Sequence, residues 1–412
     1  MTDTAERTID VCVVGAGVAG AAVAQGLARQ GLSVVLVERL DPMPDVLKAE
    51  KIDGEAAVSL IRLGFQPAVD AALTPLHSVS IFYRERKLGT LRLEMPEAGG
   101  YYHGLVNELR AHLDPRVDFR RGTKVESLEQ HPDHVVVHTA GGACIACKLV
   151  IVATGDARHL LESLGATYEP QVPNQAFVAA FTFEGSLGDP LAPVDTQTYH
   201  HPVADGPIAY TSLFRLGDSL RANIFCPGPI SDTWQRDLKQ RPLEALSQHN
   251  RLLASASRSW RPTSPVMIRK VQVARLTPPS LSRVVVLGDA AHTIDPSGAG
   301  GLTFSLLEAE LLLNVYIPRW LESEDIQPQA IAEFYNDPRH QQAVSNYFGR
   351  GEYVYALNHD NSLRGAARRL IFFLRTIQAS RRGSKSTPPP KPTEPMQVRA
   401  AAWRLPAPYL FE

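Results

Sequence analysis

In VVGAGVAG, Gly15, Gly17 and Gly20 follow an apolar run and open an alanine-rich helical pattern. Glycine at the first of these places permits a tight turn. At the second it lets the backbone approach a pyrophosphate, and at the third it lets helix and strand pack. The N–H groups and positive dipole end of such a helix favour phosphate. Glu38 ends the next apolar run, 18 positions after Gly20. A carboxylate there accepts hydrogen bonds from the ribose hydroxyls of an adenosine. The set predicts a dinucleotide site and does not separate FAD from NAD.

A second stretch, GDAAHTIDPSGAGGLTFSLLEAELL, begins at Gly288. Gly288-Asp289 follow an apolar strand pattern, and Gly298, Gly300 and Gly301 precede a helix. Two such turns make sense for one long ligand. The first would hold the pyrophosphate. At the other end Asp289 would accept from a ribityl hydroxyl, and the helix start near Gly301 would aim its positive end at the ring.

The elements that must position these turns are legible as patterns. Asp10 to Val14, the helix Val18 to Gln30 and Val34 to Glu38 form a β-α-β unit. A helix is predicted from Gly54 to Leu63 and another from Leu105 to Leu113. SVSIFYRERKLGTLRLEM alternates as a half-exposed hairpin does. Further strands are predicted in AFVAAFTFEG, GPIAYTSLFRLG and LRANIFCP, with a helix from Leu238 to Leu253. RVVVLGD is another apolar strand, and helices follow to about Ser380. This predicts an α/β protein. A Rossmann-like dinucleotide domain comes from residues 1–75, 101–172 and 265–325. A mostly antiparallel sheet domain, 76–100 and 173–264, is inserted. C-terminal helices occupy 326–382, and a proline-rich tail occupies 383–412.

Lys and Arg total 42 against 43 Asp and Glu, a net charge of −1, which argues against a nucleic-acid binder. No apolar run reaches the roughly 20 residues that span a bilayer. The polar start MTDTAERTID lacks a signal-peptide pattern, so a cytoplasmic protein, monomer or homodimer, is expected. Cys144 and Cys147 form a lone CxxC without a second ligand pair, so no metal site is expected. LRGAARRLIFFLRTIQASRRG, residues 363–383, is a basic amphipathic helix. Packing of its Leu/Ile/Phe face on the body is expected, with peripheral membrane contact as the alternative.

From about Asp10 to Ser380 the chain resembles the class A FAD-dependent monooxygenases, the para-hydroxybenzoate hydroxylase-like and ubiquinone hydroxylase-like flavoproteins. GAGVAG, Glu38-Arg39, GDAAH with PSGAGGLT, and FYNDPR carry the resemblance. It implies an FAD site formed by Gly15, Gly17, Ala19, Gly20, Glu38, Arg39, Val125, Gly288, Asp289, Pro296, Gly298, Gly300, Gly301, Leu302 and Thr303. It also implies Lys48 at the phosphates, in place of a family arginine, and Lys51 near the flavin edge. Pro296 would lie beside the ring where oxygen reacts. The implied reaction uses NAD(P)H to reduce the flavin. Oxygen then forms a C4a-hydroperoxide that passes one atom to an aromatic or polycyclic substrate. Hydroxylation is expected, with epoxidation or Baeyer–Villiger insertion as variants, in specialised metabolism such as antibiotic biosynthesis.

Three departures stand out. Ala299 and Thr303 replace a common glutamine and asparagine. VATGDARHLLESLG stands where the family reads ADGxxSxxR, with His159 and Glu162 in the serine and arginine places. At the start of YYHGLVNELRAHL, His103 and Asn107 stand near the place of a common arginine. The alternatives are a flavoprotein reduced by a partner and a non-catalytic membrane-associated or scaffold protein.

The substrate is expected between ring and inserted sheet, lined from Ser78 to Arg92 and from Phe177 to Phe225. Tyr210, Phe214, Arg215, Tyr83, Arg84, His200 and His201 are candidates to orient a carboxylate or polarise a phenol. Each is also, taken singly, an ordinary strand residue facing solvent. Pro296, His103, Tyr210 and Arg215 form the expected catalytic set. His292 is expected to be loop scaffold.

Overall fold

The computed structural model describes residues 8–83, 86–187, 195–201, 208–249, 251–277, 281–324 and 326–383. Arg84 and the tail from 384 onward lie outside the described residues.

Ile9–Val14 sits between Val34–Val37 and Cys144–Val152, parallel to both. Val117–Arg120 extends the sheet on one side. On the other, Cys144–Val152 pairs through its first half with Val135–Thr139, which pairs in turn with Val125–Gln130, and through its second half with Val284–Val286. The central strands read as continuous apolar runs because both faces are covered. Val11 and Val13 pack with Ala21, Ala24 and Leu27 of the helix Val18–Arg29. Cys12 and Val14 face the other way, into a core with Val135 and Val137. The chain passes from Ile9–Val14 to Val34–Val37 on one side and later returns as Cys144–Val152 on the other, so the carboxyl ends there open a crevice.

Among the described residues the second sheet has ten strands. From one edge its order is His292–Thr293, Met267–Thr277, Thr167–Glu184, Ser219–Cys226, Tyr210–Leu216, Thr196–His200, Thr74–Tyr83, Arg86–Gly99 and Lys51–Ile52, with Arg261–Pro262 off this path. It is antiparallel except where Thr196–His200 runs parallel to Thr74–Tyr83. The α/β fold with an antiparallel sheet and C-terminal helices is as expected. The boundaries differ. Met267–Thr277 pairs along Thr167–Glu184 and so belongs to the second sheet, as does the start of Thr167–Glu184 itself. The expected helix from Leu238 to Leu253 divides into Asp232–Gln240, Pro242–His249 and Arg251–Ala256. Ser231 caps the first by accepting from the Trp234 N–H at 3.2 Å, and Pro242, unable to donate, opens the second.

The helix Leu363–Gly383 lies against the second sheet through its phenylalanines, but Leu363, Leu370, Ile371 and Leu374 stay exposed, so the expected packing of a Leu/Ile/Phe face holds only in part. Phe373 lies tilted against Tyr83 with ring centres 4.1 Å apart, and Ser380 Oγ accepts from the Thr90 N–H at 3.1 Å.

A buried ion pair fastens the segment between Val34–Val37 and Lys51–Ile52 to the middle of the second sheet. Arg221, in Ser219–Cys226, donates to Glu50 Oε2 and Oε1 at 2.9 and 2.6 Å. Both residues are 2% exposed. Burial pushes the Glu50 carboxyl above its ordinary value, and Arg221 only partly opposes this. Removing the cation strands a buried carboxyl. Arg221→Ala is therefore expected to lose about 3–5 kcal/mol in a denaturant titration. A loss below about 1 kcal/mol would show that the pair does not hold this segment to the sheet.

Candidate active site

The first glycine turn forms where the strand Ile9–Val14 passes into the helix Val18–Arg29. Gly15 has φ +103°, and a Cβ there would meet the Ala153 carbonyl oxygen at 2.5 Å. A Cβ on Gly20 would lie 1.8 Å from the Gly15 oxygen. Neither place accepts a side chain. Glu38 is pulled onto the turn. Its Oε2 accepts from the Ala16 N–H at 2.8 Å, and its Oε1 from the Leu40 N–H at 2.9 Å.

The arginine sought at the start of the helix Tyr102–Ala111 comes from its last turn. Arg110 is buried, and its guanidinium donates to Ala16 O and Leu40 O, both at 2.8 Å. Its Nη2 stands 3.2 Å from Glu38. Arg110 lies two helical turns after His103, but only the placement of the helix against the first turn shows what it meets. His103 itself pairs with Asp45 at 3.1 Å and is absent from the cavity lining, which corrects its expected catalytic place. Asn107 holds Met43 through N–H and C=O, at 2.9 and 3.3 Å.

The second turn is held from behind by one carboxylate. Glu308 Oε2 accepts from the Gly288 N–H at 2.7 Å. Its Oε1 lies 2.9 Å from His340 Nε2 and 3.3 Å from His292 Nδ1. All three side chains are buried. Burial pushes the Glu308 carboxyl up, but the hydrogen bonds of both histidines outweigh it and hold the group below its ordinary value. Burial lowers His292, only partly opposed by Glu308. Tyr335 brackets Val286, donating to its carbonyl and accepting from its N–H, both at 2.9 Å.

Between the turns runs a cavity of about 1010 Å³. Gly15, Gly17, Ala19, Glu38, Arg39, Lys48, Lys51 and Val125 line it from the first side. Gly288, Asp289, Pro296, Gly300, Gly301, Leu302 and Thr303 line it from the second. Gly20 and Gly298 stand behind their turns, outside the lining; a Cβ on Gly298 would meet Gly351 N at 2.6 Å. Lys48 bridges the halves, 2.8 Å from Asp289. Burial acts to lower its pKa, but Asp289 and Tyr102 outweigh that and raise it. Lys51 pairs with Glu97 at 2.6 Å.

The sheet closes the other wall with Val178, Thr198, His200, Tyr210, Ser212 and Phe225. Tyr210 stacks on Phe225 at 4.5 Å and donates to Ser297 O at 2.9 Å, fastening the sheet to the second turn. Arg215 is exposed and outside the lining, which corrects its expected catalytic place; in YTSLFRL it falls on the outward side of the strand. Phe214 is fully buried in a small core with Leu76 and Leu216. His201 is buried beside Thr211, also outside the lining. In the GDARHLLE stretch, Asp156 pairs with Arg269 at 2.8 Å. His159 projects into solvent, and Arg158 donates to Thr293 Oγ1 at 2.6 Å. Sequence reasoning missed Arg269, which sits in an unremarkable alternating strand.

Residues 8–314 match the family model described as FAD binding domain. The chain belongs to this FAD-binding family. Its cofactor is FAD, and it is an FAD-dependent monooxygenase. Among relatives, the 3-demethoxyubiquinol 3-hydroxylase of Escherichia coli is 26% identical over 331 residues, 75% of this chain and 79% of that protein. The FAD-dependent monooxygenase SAT7 of Stachybotrys chartarum is 22% identical, over 82% of this chain and 81% of its own length. The solved structure of p-nitrophenol 4-monooxygenase PnpA from Pseudomonas putida DLL-E4 superposes with a TM-score of 0.73 at 19% identity, covering 91% of this chain and 96% of that one. The cavity suits FAD: it is long, continuous between two glycine turns, and lined by their backbone.

Glu308→Ala leaves the Gly288 N–H and two histidines without their acceptor. A loss of about 3–5 kcal/mol in stability is expected, together with weaker retention of the yellow cofactor on gel filtration. Because Glu308 is held below its ordinary pKa of about 4.5, its contribution is present above that pH and fades as pH falls through the lowered folded value. The difference between wild type and variant should shrink accordingly in acid.

Proposed function

We propose that FAD lies along this cavity from the Gly15–Gly17 turn to the helix start at Gly301, and that an aromatic molecule is hydroxylated beneath the antiparallel sheet. The observation that carries this is the single cavity reaching both turns and the strand wall. The N–H groups of the first turn and the helix dipole would hold the pyrophosphate, with Lys48 beside it. Glu38 would take the ribose hydroxyls. Asp289 would take the ribityl hydroxyls, and the N–H groups from Gly300 to Thr303 the ring. Pro296 would border the place where oxygen reacts. Bound FAD supplies the oxygen activation, with electrons from NAD(P)H; the chain supplies binding, orientation and shelter from water.

The strand wall favours an uncharged substrate. His200 Nδ1 and Ser212 Oγ are buried without a hydrogen-bond partner. Burial, with His201 beside it, pushes the His200 pKa down to about 4, so the ring is neutral at physiological pH. Neither arginine of these strands is free for a carboxylate: Arg215 faces solvent and Arg221 is paired with Glu50. A neutral imidazole and a hydroxyl suit a phenol or a ketone, while Tyr210 and Phe225 offer stacking surface.

Two measurements test this. His200→Ala and Ser212→Ala are each expected to raise KM for a phenolic substrate about 10-fold while FAD content is unchanged, the worth of roughly one hydrogen bond. A phenolic panel on which neither variant moves KM would remove these residues from the substrate wall. Rapid mixing of the FAD-loaded protein with NADH or NADPH and substrate should bleach the flavin. Failure with both would favour reduction by a partner, the reading that Asp156, locked to Arg269 in place of the family's serine–arginine segment, keeps alive.

A further inference from the structure

The helix Leu363–Gly383 is amphipathic on both sides. Phe372, Phe373, Thr376 and Ser380 recur at helical spacing on the inner face, where Phe372 stands edge-on to His200 at 5.0 Å. The opposite face is apolar as well. Leu363, Leu370, Ile371 and Leu374 are 91%, 57%, 48% and 57% exposed. At 100° per residue these four fall within an arc of about 100°, and Ala367 joins them. They are four of the six large hydrophobic residues exposed among the described residues. Arg364 and Arg375 line one edge of the ridge, and Arg381 continues it; all three are exposed. From Leu363 to Gly383 the sequence holds six arginines and no acidic residue.

From this ridge and its charge we propose that the outer face of Leu363–Gly383 docks on an anionic lipid bilayer. An apolar stripe a few turns long, edged by cations and lying on the surface, has the chemistry of an in-plane interfacial helix. Arginine is suited to the role. Its stem crosses apolar surface while its guanidinium reaches lipid phosphate. No helix among the described residues is long and apolar enough to cross a membrane, so the contact is peripheral. A protein partner would have to bring a matching acidic rim, whereas an anionic leaflet presents one everywhere. The same helix backs the cavity wall, since Phe372 touches the lining residue His200. Docking would therefore set the substrate end of the cavity beside the interface, where sparingly soluble aromatic molecules concentrate. The inference does not depend on the substrate assignment.

The full-length, FAD-loaded protein is sedimented with vesicles of phosphatidylglycerol and phosphatidylcholine, or of phosphatidylcholine alone, and flavin absorbance is read in the pellet. Binding is expected to the anionic vesicles only, weakened by salt. Leu370→Glu with Leu374→Glu should reduce it at least 10-fold. Arg364→Glu with Arg375→Glu should do the same. Both variants should keep wild-type FAD content and turnover of a water-soluble phenol, since none of these residues lines the cavity. Absence of binding to anionic vesicles overturns the proposal. So does equal binding to phosphatidylcholine alone, or binding indifferent to both variants. If wild type is a dimer that Leu370→Glu with Leu374→Glu makes monomeric, and vesicles are not bound, the ridge is a contact between copies and the proposal fails.

Discussion

A buried carboxylate governs the geometry of this protein. Glu308 lies inside the helix Gly301–Leu311, yet it faces backward onto the Gly288 N–H, where the strand Val284–Val286 ends. An N–H at such a strand end has lost its sheet partner and is costly to bury unpaired. Glu308 satisfies it and binds His340, from the helix Pro338–His359, with its other oxygen. Three elements distant in sequence are thereby fixed at one point. The turn that carries Asp289 cannot drift without breaking a charge-assisted contact inside the core. His292, Glu308 and His340 also lie close enough together to hold a metal ion; Glu308 Oε2 is taken by the Gly288 N–H, and its Oε1 contacts the same two histidines.

From that fixed turn the rest of the site follows by contact. Tyr210 reaches from the sheet to Ser297 O, and Glu50 receives Arg221 from the neighbouring strand. The cavity is thus bounded by two rigid layers instead of by loops alone, which suits a reaction that depends on excluding water. The first fastens the antiparallel sheet to the second glycine turn, and the second fastens it to the segment that leads from the parallel sheet into Lys51–Ile52. The two layers therefore share a specific register, which apolar packing alone would specify less sharply.

The parts of this arrangement that are local in sequence were legible there. The glycine turns, the β-α-β unit, Glu38 and the Gly288 strand-to-helix passage are each encoded within a few residues, because close backbone approach and positive φ leave little choice but glycine. What escaped is what depends on distance. Arg110 could not be assigned to the first turn until the helix Tyr102–Ala111 was placed against it. Arg215 looked usable in YTSLFRL because alternation says that neighbours differ in facing without saying which face is inside. Met267–Thr277 was assigned to the wrong layer because an alternating strand declares its own pleat and not its partner. The outward ridge of Leu363–Gly383 was hidden for a related reason: its hydrophobic residues are too many for one face, and only docking showed which remained outside.

Ala299 marks where these constraints converge. It takes φ +52° and ψ 169°, a region that only glycine enters without strain, at a cost of about 1–3 kcal/mol. Such strain persists only where the surroundings over-determine the backbone. Here they do. Asp295 accepts from the Ser297 N–H at 2.8 Å, Tyr210 donates to the carbonyl of the same residue, and Gly298 is pressed against the Arg350–Gly351 backbone. On the following side Gly300 turns with φ +94° into the helix that Glu308 anchors. A chain held at both ends has one way through. That way leaves Pro296 and the N–H groups of the helix start facing the cavity, the arrangement a relaxed alanine at 299 would undo.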